Sequence, residues 1–80
     1  MQTLYCKEAV AAAKKLGYSP TNYYSHGQKV FYNAKKGLYI VADVDEHNGG
    51  VWKMAKTVKD LASKTTRLGT YDEFLNWIGP

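Results

Sequence analysis

Asp43, Asp45 and His47 stand two residues apart in the stretch Leu38 to Met54, LYIVADVDEHNGGVWKM. Side chains in an extended strand alternate between faces, so these three share one face at a spacing of roughly 6–7 Å. An unperturbed imidazole titrates at about 6.5, which suits proton transfer near neutral pH. Lys53, on a return strand, would add an ammonium to the same patch. Together the four hold the parts of a metal-free RNA-cleaving site. One group takes the proton of a ribose 2′-OH, a second protonates the leaving 5′-oxygen, and a cation neutralises charge growing on the phosphorane. Two aspartates and a histidine are also oxygen and nitrogen metal ligands, so a metal-dependent nuclease is a competing reading. Lys53 beside the carboxylates opposes a dication there. A non-catalytic, basic RNA-binding or ribosome-blocking module is a further alternative, as is a solvated hairpin with no chemistry.

The patch needs elements to hold it. On the other parity of the strand, Leu38, Ile40, Ala42 and Val44 are all apolar and read as a core face. Asn48-Gly49-Gly50 reads as a turn. A two-residue loop would pair Val44 with Lys53 and send the lysine inward. A three-residue loop pairs Asp45 with Lys53 and Val44 with Met54, so that Trp52 and Met54 join the core face. A one-residue slip reverses every side chain, which favours the three-residue loop.

Around this hairpin, Thr3 to Leu16 reads as a helix capped by Thr3, with Cys6, Val10, Ala13 and Leu16 on one face. Lys14 and Lys15 suit its C-terminal end, and Gly17 suits its stop. Tyr18 to Gly27 reads as a loop rich in turn residues. Gln28 to Asn33 reads as a strand, with Val30 and Tyr32 on one side and Lys29 and Phe31 on the other, and 33–37 as a turn. Thr57 with Asp60 resembles a capping box, so Lys56 to Thr66 is either a short helix with Val58 and Leu61 inward or a mobile basic loop. Thr66 to Tyr71 reads as another strand. The tail DEFLNWIGP is a last helical turn or a closing strand whose apolar groups complete the core. The fold class is therefore α+β: an N-terminal helix packed on a small twisted antiparallel sheet of 3–5 strands, in one domain over residues 1–80.

The chain is small, so its core is thin; roughly 60–65% of the unfolded surface is buried at this size. Its net charge of +4 comes from ten lysines and one arginine against seven acids. Such a balance favours a polyanionic partner. Within it, Asp43, Asp45 and Glu46 concentrate three of the acids. Cys6 stands alone, which excludes an internal disulfide and a cysteine metal cage. No apolar run is long enough to span a membrane, and the first residues do not read as a signal peptide.

The same residues carry a family resemblance. Gly27, Val30 and Phe31 form G-x-x-V-F; Tyr39 to Lys53 form Y-I-x-x-D-x-D-x-H-N-G-G-x-W-K; Arg67 to Asp72 form R-L-G-T-Y-D. Together they resemble the toxin domain called novel toxin twenty-one, found at the C-terminal ends of bacterial polymorphic and contact-dependent growth inhibition toxins. The resemblance covers about Ala11 to Gly79. It implies cleavage of small-subunit (16S) ribosomal RNA in a competing bacterium, delivery as the C-terminal part of a larger secreted or cell-surface toxin, action in the target-cell cytoplasm, and a cognate immunity protein. The basic charge makes that partner acidic. A fainter likeness to ribosome-cleaving colicin nuclease domains rests on Asp43 or Asp45, His47 and Leu68 to Asp72. Those domains place a catalytic Glu four residues after the His, where this chain has Val51.

The expected site is therefore Asp43, Asp45, His47 and Lys53 for catalysis, with no cofactor and no metal. Arg67, His26, Lys29, Trp52 and Thr70 are expected to contact RNA. The ribosome and its small-subunit RNA are the expected target, and DNA is not.

Overall fold

The computed structural model describes residues 2–43 and 51–80, with the side chains of 2–7 left aside. The order is helix α1 (Gln2–Lys15), β1 (Ser19–Ser25), β2 (Gln28–Asn33), β3 (Leu38–Ala42), β4 (Trp52–Ala55), a 3-10 turn η1 (Lys59–Ala62), β5 (Gly69–Tyr71) and β6 (Trp77–Gly79). All six strands form one antiparallel sheet in chain order. The helix-plus-antiparallel-sheet class holds, but the sheet has six strands, more than the 3–5 expected.

The helix stops as its sequence suggests. Gly17, at φ 92, donates to Lys14 O (3.0 Å), and Tyr18 N donates to Ala13 O (2.9 Å). That pair of bonds is a Schellman ending, which a glycine at the left-handed position permits. Ala13 is fully buried, and Ala9, Val10 and Leu16 pack beside it against the sheet. Cys6, expected on the same face, lies outside the described side chains.

Residues 18–27 were expected to be a loop, yet they hold strand β1. Ser25 pairs with Gln28 across His26-Gly27, and both turn residues have positive φ (50 and 80), as a type I′ hairpin requires. β1 is an edge strand, mostly exposed, so it lacks the alternation that marks a half-buried strand. Its ladder shifts between Pro20 and Tyr24. There Thr21 Oγ1 donates to Val30 O (2.7 Å) and Lys29 Nζ donates to Thr21 O (3.0 Å), replacing lost ladder bonds. An edge also tolerates Pro20, which has no N–H to give.

The sheet is covered on both faces. On one face Phe31, Ile40, Ala42, Trp52 and Met54 meet Ala13 and Tyr18, with the Phe31 and Trp52 rings edge-to-face at 6.0 Å. On the other, Val30, Val41 and Ala55 are buried beneath Leu61 of η1, with Val58 and Tyr39 at the margin. Thr57 Oγ1 accepts from Asp60 N (3.1 Å), so the short-helix reading of this segment holds in 3-10 form.

The tail closes the sheet as a strand, one of its two expected readings, but most of its apolar groups stay exposed and do not complete the core. Phe74 and Trp77 are 71% and 59% exposed; of the tail's large apolar groups, Leu75 is the one packed on the core. Asp72 accepts from Phe74 N and Asn76 N, both at 2.8 Å, and this tight turn lets β6 close the sheet. Leu75 sits at φ 64 within it. The Trp77 indole lies over Gly69, where a Cβ would be 2.2 Å from Trp77 Nε1.

Candidate active site

β3 and β4 bring the first acid and the lysine together. Val41 pairs with Lys53 and Ala42 with Trp52, and beyond the ladder Asp43 N donates to Val51 O (2.8 Å). The expected pairing of Asp45 with Lys53 is corrected: the register differs by four residues. Four is even, so every side chain keeps its face, and hydrophobic alternation alone could not separate the two registers. Ile40 and Ala42, rather than Val44, lie beside Met54 and Trp52.

Lys53 Nζ approaches Asp43 Oδ1 to 3.9 Å, and it is the one ion pair among the described residues. Asp43 is 6% exposed and Lys53 is half-buried. At this depth the pair is shielded from solvent, where an unpaired charge would be costly. Both belong to the sheet face that carries Val41 and Ala55 beneath Leu61, at the Ala42–Trp52 end of the β3–β4 ladder. Asp45, His47 and the Asn48-Gly49-Gly50 turn lie outside the described residues. No cluster of three metal-ligating side chains occurs among the described residues.

The remaining expected contacts divide. Trp52 is 2% exposed and fills the core, leaving no free ring face on which a base could stack. Thr70 is 3% exposed, and its hydroxyl donates to Pro80 O (3.1 Å), tying β5 to the chain end. Both belong to the scaffold. Lys29 is half-buried; besides its bond to Thr21 O, its ammonium lies 5.0 Å from the Tyr24 ring centroid. His26 is exposed, and its Nε2–H donates to Ala62 O at 3.0 Å. Arg67 is half-buried, and its Nε is buried without an acceptor among the described residues. A depression of about 380 Å³ lined by Gly17, Tyr32, Asn33 and Lys35 sits at the opposite end of β3 from Asp43. It takes no part in this site.

Two tyrosines shape the core beside Trp52. Burial raises the Tyr18 hydroxyl pKa, with a smaller contribution from nearby Tyr71, and burial likewise raises that of Tyr71. In the tail turn, the backbone N–H of Asn76, then that of Phe74 and the Asn76 amide, hold the Asp72 carboxyl below its ordinary value.

The family model described as Novel toxin 21 matches residues 11–80. The chain belongs to the Novel toxin 21 family. This family member is 44% identical over 81 aligned residues to a protein of Enterobacter cloacae named 16S rRNA endonuclease CdiA; the match takes in 90% of this chain and 2% of that protein's length. It is also 41% identical to a chain in the solved CdiA-CT/CdiI toxin and immunity complex from Enterobacter cloacae, at a TM-score of 0.62, covering 92% of this chain and 96% of that one. No helix among the described residues is long and apolar enough to cross a membrane.

Proposed function

We propose that this domain is an endoribonuclease that cleaves small-subunit (16S) ribosomal RNA in competing bacteria and so blocks translation. The observation that carries the reading is the Asp43–Lys53 pair. It sets a half-buried ammonium beside Asp43, which Asp45 and His47 follow in the sequence at two-residue steps. Family membership and the endonuclease name of the Enterobacter relative support the same reading.

The reaction needs no metal. His47 and Asp45 act as the acid/base pair. One removes the 2′-OH proton, and the 2′-oxygen attacks the adjacent phosphorus. The bond to the 5′-oxygen breaks as the other group protonates it, leaving a 2′,3′-cyclic phosphate and a 5′-hydroxyl. Lys53 offsets negative charge on the phosphorane, and Asp43 holds the ammonium in place for it. An ammonium at this position repels a dication, which favours the metal-free route. Arg67 contributes a second cation to the RNA.

The domain is carried at the C-terminal end of a larger toxin and acts in the target-cell cytoplasm. An acidic immunity protein protects the producer. Incubating ribosomes with the domain in excess chelator tests the activity. A discrete small-subunit RNA fragment should appear, and should vanish with Asp45→Ala or His47→Ala. A fragment abolished by chelator, or intact RNA at a domain concentration that stops translation, overturns the mechanism.

A further inference from the structure

The segment 56–67, which packs η1 onto the sheet, carries Lys56, Lys59, Lys64 and Arg67 against one acid, Asp60. That is a net +3 in twelve residues, in a chain of net +4. The three lysines are exposed and Asp60 is half-buried. Among the described residues none of the four cations lies within 4.0 Å of a carboxylate. So dense a cluster of unpaired positive charge is self-repelling, and nothing in the packing of the segment calls for it.

The segment is nonetheless firmly held. Leu61 is fully buried against Val30, Val41 and Ala55. Thr66 Oγ1 donates to Asp60 O (2.9 Å), Arg67 N to Ser63 O (3.1 Å) and Leu68 N to Met54 O (2.7 Å). His26, from the β1–β2 turn, clasps the far side through Ala62 O. A rigid mount lowers the ordering cost when the charges engage a ligand. The mount also has a direction: Leu61 sits on Val41, which pairs with Lys53 and lies two residues before Asp43 on the same face.

We infer that segment 56–67 is a phosphate-binding arm: Lys56, Lys59 and Lys64 engage successive phosphates of a single-stranded RNA and lead its backbone toward Asp43 and Lys53, with His26 as a positioning residue for the arm. The inference rests on the nuclease reading for its substrate. Lysine is suited to this task because backbone tracking needs point charges and no base readout.

The test compares the wild-type domain with the triple variant Lys56→Ala, Lys59→Ala, Lys64→Ala and with the matching triple Lys→Arg variant. Circular dichroism checks that each is folded. Binding of a short fluorescein-labelled single-stranded RNA is followed by anisotropy over a NaCl series. Each lost single-strand phosphate contact lowers the slope of log K against log [salt] by about 0.7, so the alanine variant should lose about 2. The arginine variant should keep the wild-type slope, and cleavage by the alanine variant should show its loss in KM. Equal slopes for wild type and alanine variant overturn the inference. So does a variant that loses binding to polyglutamate while holding RNA as before, which would make the arm a docking face for acidic protein. If wild type binds with the full slope but cuts no RNA, the nuclease reading fails and the arm stands. If it cuts RNA and the slopes coincide, the arm fails alone.

Discussion

Tyr18 shows how a single group can sit at odds with its surroundings. It is almost fully buried, and its hydroxyl has no hydrogen-bond partner among the described residues. A buried hydroxyl without a partner costs about 1–3 kcal/mol. Tyr18→Phe should therefore be neutral or stabilising, by up to about 1 kcal/mol in urea unfolding; a loss of 2 kcal/mol or more would mean the hydroxyl is bonded after all. Burial was the hidden quantity at this scale. The sequence marks Trp52 and Thr70 as capable of meeting RNA, because an aromatic ring and a hydroxyl serve a base or a core equally well. Asp43 and Lys53 were legible as sharing a face once the apolar alternation of both strands had chosen the loop length, but the partner opposite Lys53 was misplaced by four residues. His26 was visible only as a loop histidine. Its bond to Ala62 spans 36 residues, and no local pattern encodes such a contact.

Elements with a local stop signal were legible. Gly17 ended the helix, the 33–37 turn carries Asn33 Oδ1 accepting from Lys36 N, and β2 spans the residues its alternation marked. β1 was not, because an exposed edge strand with a bulge has no apolar stripe. The closing turn before β6 hinges on Asp72. Its folded-state pKa is depressed, so the folded protein prefers the charged carboxylate. That contribution is present above the unfolded carboxylate value and is lost as pH falls through the folded one. Thermal melts should thus show β6 loosening on acidification, and Asp72→Asn should flatten that acid limb while lowering the melting temperature near neutrality. An unchanged acid limb in Asp72→Asn would show that the turn's bonds do not depend on the charge.

For the molecule as a whole, the helix-on-sheet class was readable from the order of apolar runs, while the second covered face was not. Val30, Val41 and Ala55 look like ordinary strand residues until Leu61 is folded over them. A sheet buried on both sides has few places where acids and a lysine can emerge, and the end of β3 and β4 is one. The positive balance of the whole chain also bears on its proposed protector. Association with an acidic immunity protein should slow as NaCl rises, mostly through the on-rate. Surface plasmon resonance across a salt series reads this, and a rate indifferent to salt would remove charge as the driver.

Strand order along the sheet follows strand order along the chain, so each new strand finds its partner beside the one just laid down. Pairings of short sequence separation close quickly, because little loop entropy is lost before contacts form. A chain ordered in this way assembles progressively, hairpin after hairpin. It reaches working shape without waiting for remote segments to meet, and so spends little time open to proteases.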